Sequence, residues 1–157
     1  MGCPNEAQRS YEEPPKGMVN SVNSLFIESS NMFSNVGHNL GFVWGTMLWD
    51  LTWAYVDKYG FDSDFYEGTG GNNKVMQLVI DGLKLTPCSP GFIDARDAIL
   101  AADMALTGGE DQCMIWKVFA ARGLGYSASQ GLSSSAIDQV EDFTLPTAID
   151  FGNGSLD

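Results

Sequence analysis

One histidine, three cysteines and a surplus of carboxylates are the side chains of this 157-residue chain that could move a proton, attack a carbonyl or hold a metal. His38 is the one group whose ordinary pKa lies near neutrality, so general-base or general-acid work at physiological pH falls to it. A lone histidine cannot build the usual histidine-rich zinc sites, and no C-x-x-C pair replaces it. Asp94, Asp97 and Asp103 share a helical stretch, but an EF-hand loop needs alternating acidic ligands, a central glycine and a closing glutamate. Gly68, Gly70 and Gly71 resemble a phosphate loop only superficially, because Asn72-Asn73 stand where Lys-Ser/Thr is required. Ser133 to Ser135 lack the G-x-S-x-G elbow and any nearby base, and read as linker. Arg96 reads as a structural lock on a neighbouring acid.

The elements that must position these residues are helices. From near Asn39, Val43, Met47, Leu51, Ala54 and Tyr55 recur at three- and four-residue intervals up to Gly60, a glycine in the usual place just past a helix end. Apolar on most of its circumference, this helix is expected at the centre of the core, with Trp44, Trp49 and Trp53 buried there and Trp116 beside them. A turn-rich loop, FDSDFYEGTGGNN, leads into a second helix over about 73–85, capped by Asn72 or Asn73. Thr86-Pro87-Cys88-Ser89-Pro90 breaks the chain. A third helix is expected over about 92–106, stopped by Gly108-Gly109, and a fourth over about 111–122, stopped by Gly123. With four helices and no convincing strand, the class is all-α. The organisation is an irregular arm over 1–36, a helical unit over 37–125 and a Ser/Gly/acidic tail over 126–157.

Twenty Asp and Glu against eight Lys and Arg give a formal net charge of -12 at pH 7. Such a surface repels phosphate backbones and anionic headgroups, which argues against nucleic acid and membrane as partners. The longest apolar run, around Phe42 to Leu51, is far shorter than the roughly 20 residues of a membrane span. Residues 1–10 carry no apolar signal-peptide core.

The stretch H-N-L-G-F-V-W-G-T-M-L-W-D-L-T-W from His38, continued through KYGFDSDFYEGTGGNNKVMQLVIDGLKLTPCSPGFIDARDAILAADMALTGGEDQCMIWKVFAARGLG, resembles the C-terminal helical part of the fungalysin family of secreted, thermolysin-like zinc metallopeptidases. The likeness covers about 37–125. It implies an extracellular protein and the C-terminal lobe of a peptide-bond hydrolase. In that family an H-E-x-x-H helix and a downstream glutamate hold zinc, and they precede the stretch matched here. This chain has no H-E-x-x-H, so zinc belongs to the complete family enzyme and no residue here is expected to ligate it. The resemblance further implies that His38 hydrogen-bonds the oxyanion of the tetrahedral intermediate in a complete enzyme, beside a peptide or protein substrate held by the missing metal-binding lobe. Phe42 stands where many relatives carry an acid. Alone, the chain is expected to be inactive and to expose apolar surface that favours self-association.

Two rival readings stand beside this one, the first from another class. One is a stand-alone helical binding or inhibitory module without catalysis; the other is a peptidase assembled from two chains. Among the cysteines, Cys88 opens the third helix and Cys113 starts the fourth. Their pairing is expected to close a loop of about 26 residues, worth roughly 3–4 kcal/mol in the chain-entropy model. Cys3 is then the odd thiol.

Overall fold

The computed structural model describes residues 36–132 and 138–147, with the backbone alone at 36–39. Among these residues the fold is all-α. Helix α1 spans Val36–Tyr59, α2 Gly71–Leu85, α3 Phe92–Thr107 and α4 Gln112–Ala121. Among the described residues, pairing of β type is limited to two isolated bridges, Leu124 with Asp142 and Ser129 with Val140.

α1 is the mast of the fold. No proline interrupts its 24 residues, Lys58 sits in its last turn, and Gly60 ends it at φ +80°, where a β-carbon would be strained. Its inner face buries Val43, Met47, Leu51, Ala54 and Tyr55, with Leu51 fully enclosed. α2 contributes Val75 and Leu78, α3 contributes Ile99, Leu100 and Ala102, and α4 contributes Ile115, Val118 and Phe119 to the same core. Trp44 stacks on Phe92 and Phe119 at ring-centroid separations of 6.2 and 5.7 Å, which ties α1 to α3 and α4.

The outer face of α1 departs from expectation. Phe42, Trp49 and Trp53 are 64%, 59% and 49% exposed, so this helix is covered on one side and bare on the other. Period alone could not reveal this, because an apolar circumference reads the same whether its far side is covered or open.

The glycine-rich stretch before α2 is required by contact, not by phosphate. A β-carbon on Gly71 would lie 2.1 Å from the Tyr55 carbonyl oxygen, and the Gly71 N–H donates to the Gly60 carbonyl at 2.7 Å. Backbone therefore meets backbone where α2 begins against the end of α1. Gly71→Ala is expected to cost about 3 kcal/mol, at the upper end for overpacking, as a lowered urea midpoint.

Neither Asn72 nor Asn73 caps α2; Gly70 holds the cap position without a side-chain bond. Asn72, buried in the first turn, clamps the loop instead. Its Oδ1 accepts from the Asp62 N–H and its Nδ2 donates to the Asp62 carbonyl, both at 2.9 Å. The carboxylates of Asp62 and Asp64 accept backbone N–H groups of Asp64, Thr69, Tyr66 and Glu67, so the acidic loop is satisfied internally.

At the start of α3, Asp94 Oδ2 accepts the Gly91 N–H at 2.9 Å and a Gln130 amide at 2.7 Å, while Gln130 Oε1 accepts from Ile93 and Asp94. The stretch after α4 is thus pinned to the head of α3. The chain returns along it, with Ser129 and Val140 exchanging backbone bonds and Gly125 and Tyr126 donating to Asp142 and Thr144.

Candidate functional site

His38 lies in the first turn of α1, and only its backbone is described. At 3.6 residues per turn, position 38 shares an arc of about 80° with Phe42, Gly45, Trp49, Trp53 and Val56. That arc is the bare outer face, whereas Leu40 and Trp44 turn inward. Leu40, Gly41 and Trp44 border an apolar groove of about 400 Å³, closed by Val79 and Leu83 of α2, Phe92 of α3 and Gln130. By register, the groove belongs to the inner side and position 38 to the outer one.

The expected Cys88–Cys113 bridge is not formed: Cys88 is a free, exposed thiol. Cys88 precedes the N-terminus of α3, while Cys113 follows its C-terminus. An antiparallel pair sets the start of one helix beside the end of the other, so the 16 residues of α3 separate these positions by about 24 Å, far beyond a disulfide span. Ser89, at φ 54°, turns the chain next to Cys88.

Among the described residues, no group of three His, Cys, Asp or Glu is placed to hold a metal. Asp94, Asp97 and Asp103 go separate ways. Asp94 caps, its carboxyl held below the usual range by the Gly91 N–H and then by Gln130. Asp97 pairs with Arg96, and Asp103 is fully buried. These three acids thus form no zinc site among the described residues.

Arg96 is the structural lock expected of it, and more. Its Nε donates to Asp97 Oδ1 at 2.8 Å, and its Nη1 donates to the carbonyls of Leu124 and Gly125 at 3.1 and 2.6 Å. The buried guanidinium lies 4.5 Å from the centroid of the Trp116 ring. Asp50, the one charge in the middle of α1, meets Arg122 beyond the end of α4 at 2.5 Å.

The densest group of titratable side chains was not anticipated. Asp103 Oδ1 accepts from Thr107 Oγ1 at 2.8 Å, and its Oδ2 accepts from Gln112 Nε2 at 2.9 Å and the Asp111 N–H at 3.3 Å. Asp111, also buried, accepts from Lys58 Nζ at 2.5 Å and from the Tyr59 hydroxyl at 2.9 Å. Tyr55, buried on the same face of α1, lies within the field of the Asp111 and Asp103 charges. This cluster fastens the end of α1 to the α3–α4 turn. It is a joint, closed by its own partners.

The joint raises three pKa values. Burial, followed by the charges of Asp111 and Asp103, pushes Tyr55 far up. Tyr59 also rises, first through burial, although Lys58 opposes the shift. Burial on its own would lower Lys58, but its bonds to Asp111 and Tyr59 outweigh that and raise it. Each group binds its proton more tightly folded than unfolded, so its stabilisation is complete below the unfolded pKa and is lost as pH rises through the folded value. The melting temperature is expected to hold to about pH 10 and fall beyond it, and Tyr55→Phe should flatten that fall. Thermal melts monitored by circular dichroism across the alkaline range check both.

What these elements define is an all-α helical unit, built around one long helix with an open face, with no metal-binding group among the described residues. Residues 13–128 match the family model described as "Fungalysin metallopeptidase (M36)", and the chain belongs to that family. It is 50% identical over 135 residues to the "Extracellular metalloproteinase MEP" of Neosartorya fischeri, an alignment covering 82% of this chain and 20% of that protein. It is 47% identical over 113 residues to the "Extracellular metalloproteinase 10" of Coccidioides posadasii, covering 68% and 18%. With the Fusarium vanettenii "Extracellular metalloproteinase MEP" it shares 42% over 137 residues, covering 82% and 21%. The chain spans about a fifth of the length of the curated relatives it matches.

Proposed function

We propose that this chain is the C-terminal helical lobe of a secreted zinc metalloendopeptidase and that, in the complete enzyme, His38 donates a hydrogen bond to the oxyanion formed when a peptide bond is attacked. The observation that carries the reading is the register of α1. The sole histidine of the chain falls on the helix face that no described element covers, at the N-terminal end of that helix. A group there can serve a reaction centre supplied from outside this lobe.

The metal of the family supplies a Lewis acid for hydrolysis when bound; its ligands are not in this chain. What this chain contributes is one imidazole, held by a helix whose inner face is locked into the core and whose far end is fastened by Asp111. A donor fixed before reaction stabilises developing negative charge without reorganising at the moment of attack. Extracellular location fits the names of the relatives.

Two measurements test the reading. The 157-residue chain alone is expected to take up no zinc tightly at one equivalent, and to cleave no peptide. The native protein at its source is expected to be a heavier, peptidase-active species. Stoichiometric tight zinc on the isolated chain, or a native species of 17.0 kDa without activity, overturns it.

A further inference from the structure

The outer face of α1 combines features that do not suit a surface left in water. Over the twelve residues from Phe42 to Trp53, about 17 Å along the axis, it presents three large aromatic rings, each about half exposed or more. Trp49 and Trp53 meet edge to face at 5.6 Å, forming one continuous ridge. Between Phe42 and Trp49, Gly45 has nothing within 4 Å of where a β-carbon would be, which leaves a notch. No charged residue lies within the stripe formed by positions 42, 45, 46, 49, 53 and 56; the two acids of the helix, Asp50 and Asp57, stand at its edge, and its one Lys, Lys58, lies on the opposite side. A ridge, a notch and a charge-free centre are what helix-on-helix packing uses.

We infer that this face, Phe42–Gly45–Trp49–Trp53, is the docking surface for the remainder of the peptidase, the part that carries H-E-x-x-H. The inference rests on the function proposed above, because position 38 lies on the same stripe: whatever meets His38 must approach along these aromatics.

Two observations favour this occupant over a second copy of the chain. The relatives carry about four-fifths of their length outside the matched segment, so a large covalent neighbour exists in each of them. The three rings offer on the order of 300–400 Å² of exposed aromatic surface, about half of the roughly 800 Å² per partner that a stable association needs. Two chains of net charge -12 would also repel. A covalently continuous neighbour avoids both difficulties, since tethering raises its effective concentration. Its matching face is expected to be apolar, with basic residues at the rim to meet Asp57.

Oxidative footprinting read by mass spectrometry tests this on two samples: the recombinant 157-residue chain and the native protein from its source. In the recombinant chain Trp49 and Trp53 should be modified rapidly, while Trp116, buried in the core, is spared. In the native protein both exposed tryptophans should be protected about tenfold or more, with Trp116 unchanged. Unprotected Trp49 and Trp53 in a heavier, peptidase-active native species overturn the docking surface and leave the proposed function standing. A native species of 17.0 kDa with both tryptophans modified overturns the two together. Protection in the recombinant chain at a concentration where sedimentation shows a dimer replaces the peptidase remainder with a second copy.

Discussion

Asp103→Ala is expected to destabilise the lobe by about 3 kcal/mol, lowering the melting temperature by more than about 10 °C. The carboxylate is fully buried and takes hydrogen bonds from Thr107, Gln112 and the Asp111 backbone, all at the turn where α3 hands over to α4. Removing it leaves the Asp111 N–H and one of the two Gln112 amide protons without an acceptor, the other still bonding the Leu100 carbonyl, and such unpaired groups keep their full desolvation cost. The loss also loosens Asp111, the anchor of Lys58 and Tyr59. Asp103→Asn retains one acceptor oxygen and should lose less than half as much. Chemical denaturation of the three proteins side by side checks the order. An alanine variant as stable as the parent would mean that the α3–α4 turn is held by packing alone.

His38→Ala in the complete enzyme carries the largest expected kinetic effect. On the proposed role, kcat should drop by about 10²–10³ while KM changes little, because the lost bond strengthens only as the oxyanion develops. Stability should be unaffected, since by register position 38 falls on the outer side of α1, away from the buried positions of that helix. His38→Gln, which restores a neutral donor, should recover part of the rate. A variant with normal kcat would remove His38 from the chemistry. A drop in stability matching the drop in rate would do the same.

The helices were legible because their apolar positions recur at helical intervals and Gly60, Gly108 and Gly123 stop them at positive φ. Their ends were read to within a few residues. The family was legible from the tryptophan-rich run after His38, and the matched relatives bear it out. What the sequence concealed is of three kinds. Buried acids look like solvent-facing ones, so Asp103 and Asp111 gave no sign of the joint they form. Amide side chains near a helix start look like caps, yet Asn72 turns back to clamp Asp62, because the close approach of Gly71 to Tyr55 already fixes where α2 begins. The cysteine pairing failed on simple geometry, since adjacency in chain order is not adjacency in space when a 16-residue helix lies between. Trp49 and Trp53 were read as core for a related reason: composition states that a residue is apolar, not which neighbour is present to cover it.

The contact of Gly71 with the Tyr55 carbonyl bears on how such a lobe can change over time. Where two helices meet through side chains, every substitution at the crossing alters their spacing and tilt, and anything mounted on either helix drifts with them. Here main chain rests on main chain, and the Gly71 N–H bonds the Gly60 carbonyl directly. The angle between α1 and α2 is thus set by atoms that nearly all amino acids share. Substitutions can accumulate at Val75, Leu78 or Met47 without swinging the N-terminal end of α1 away from its bearing. Divergence in the core and constancy at the working end become separable, provided that one glycine stays a glycine.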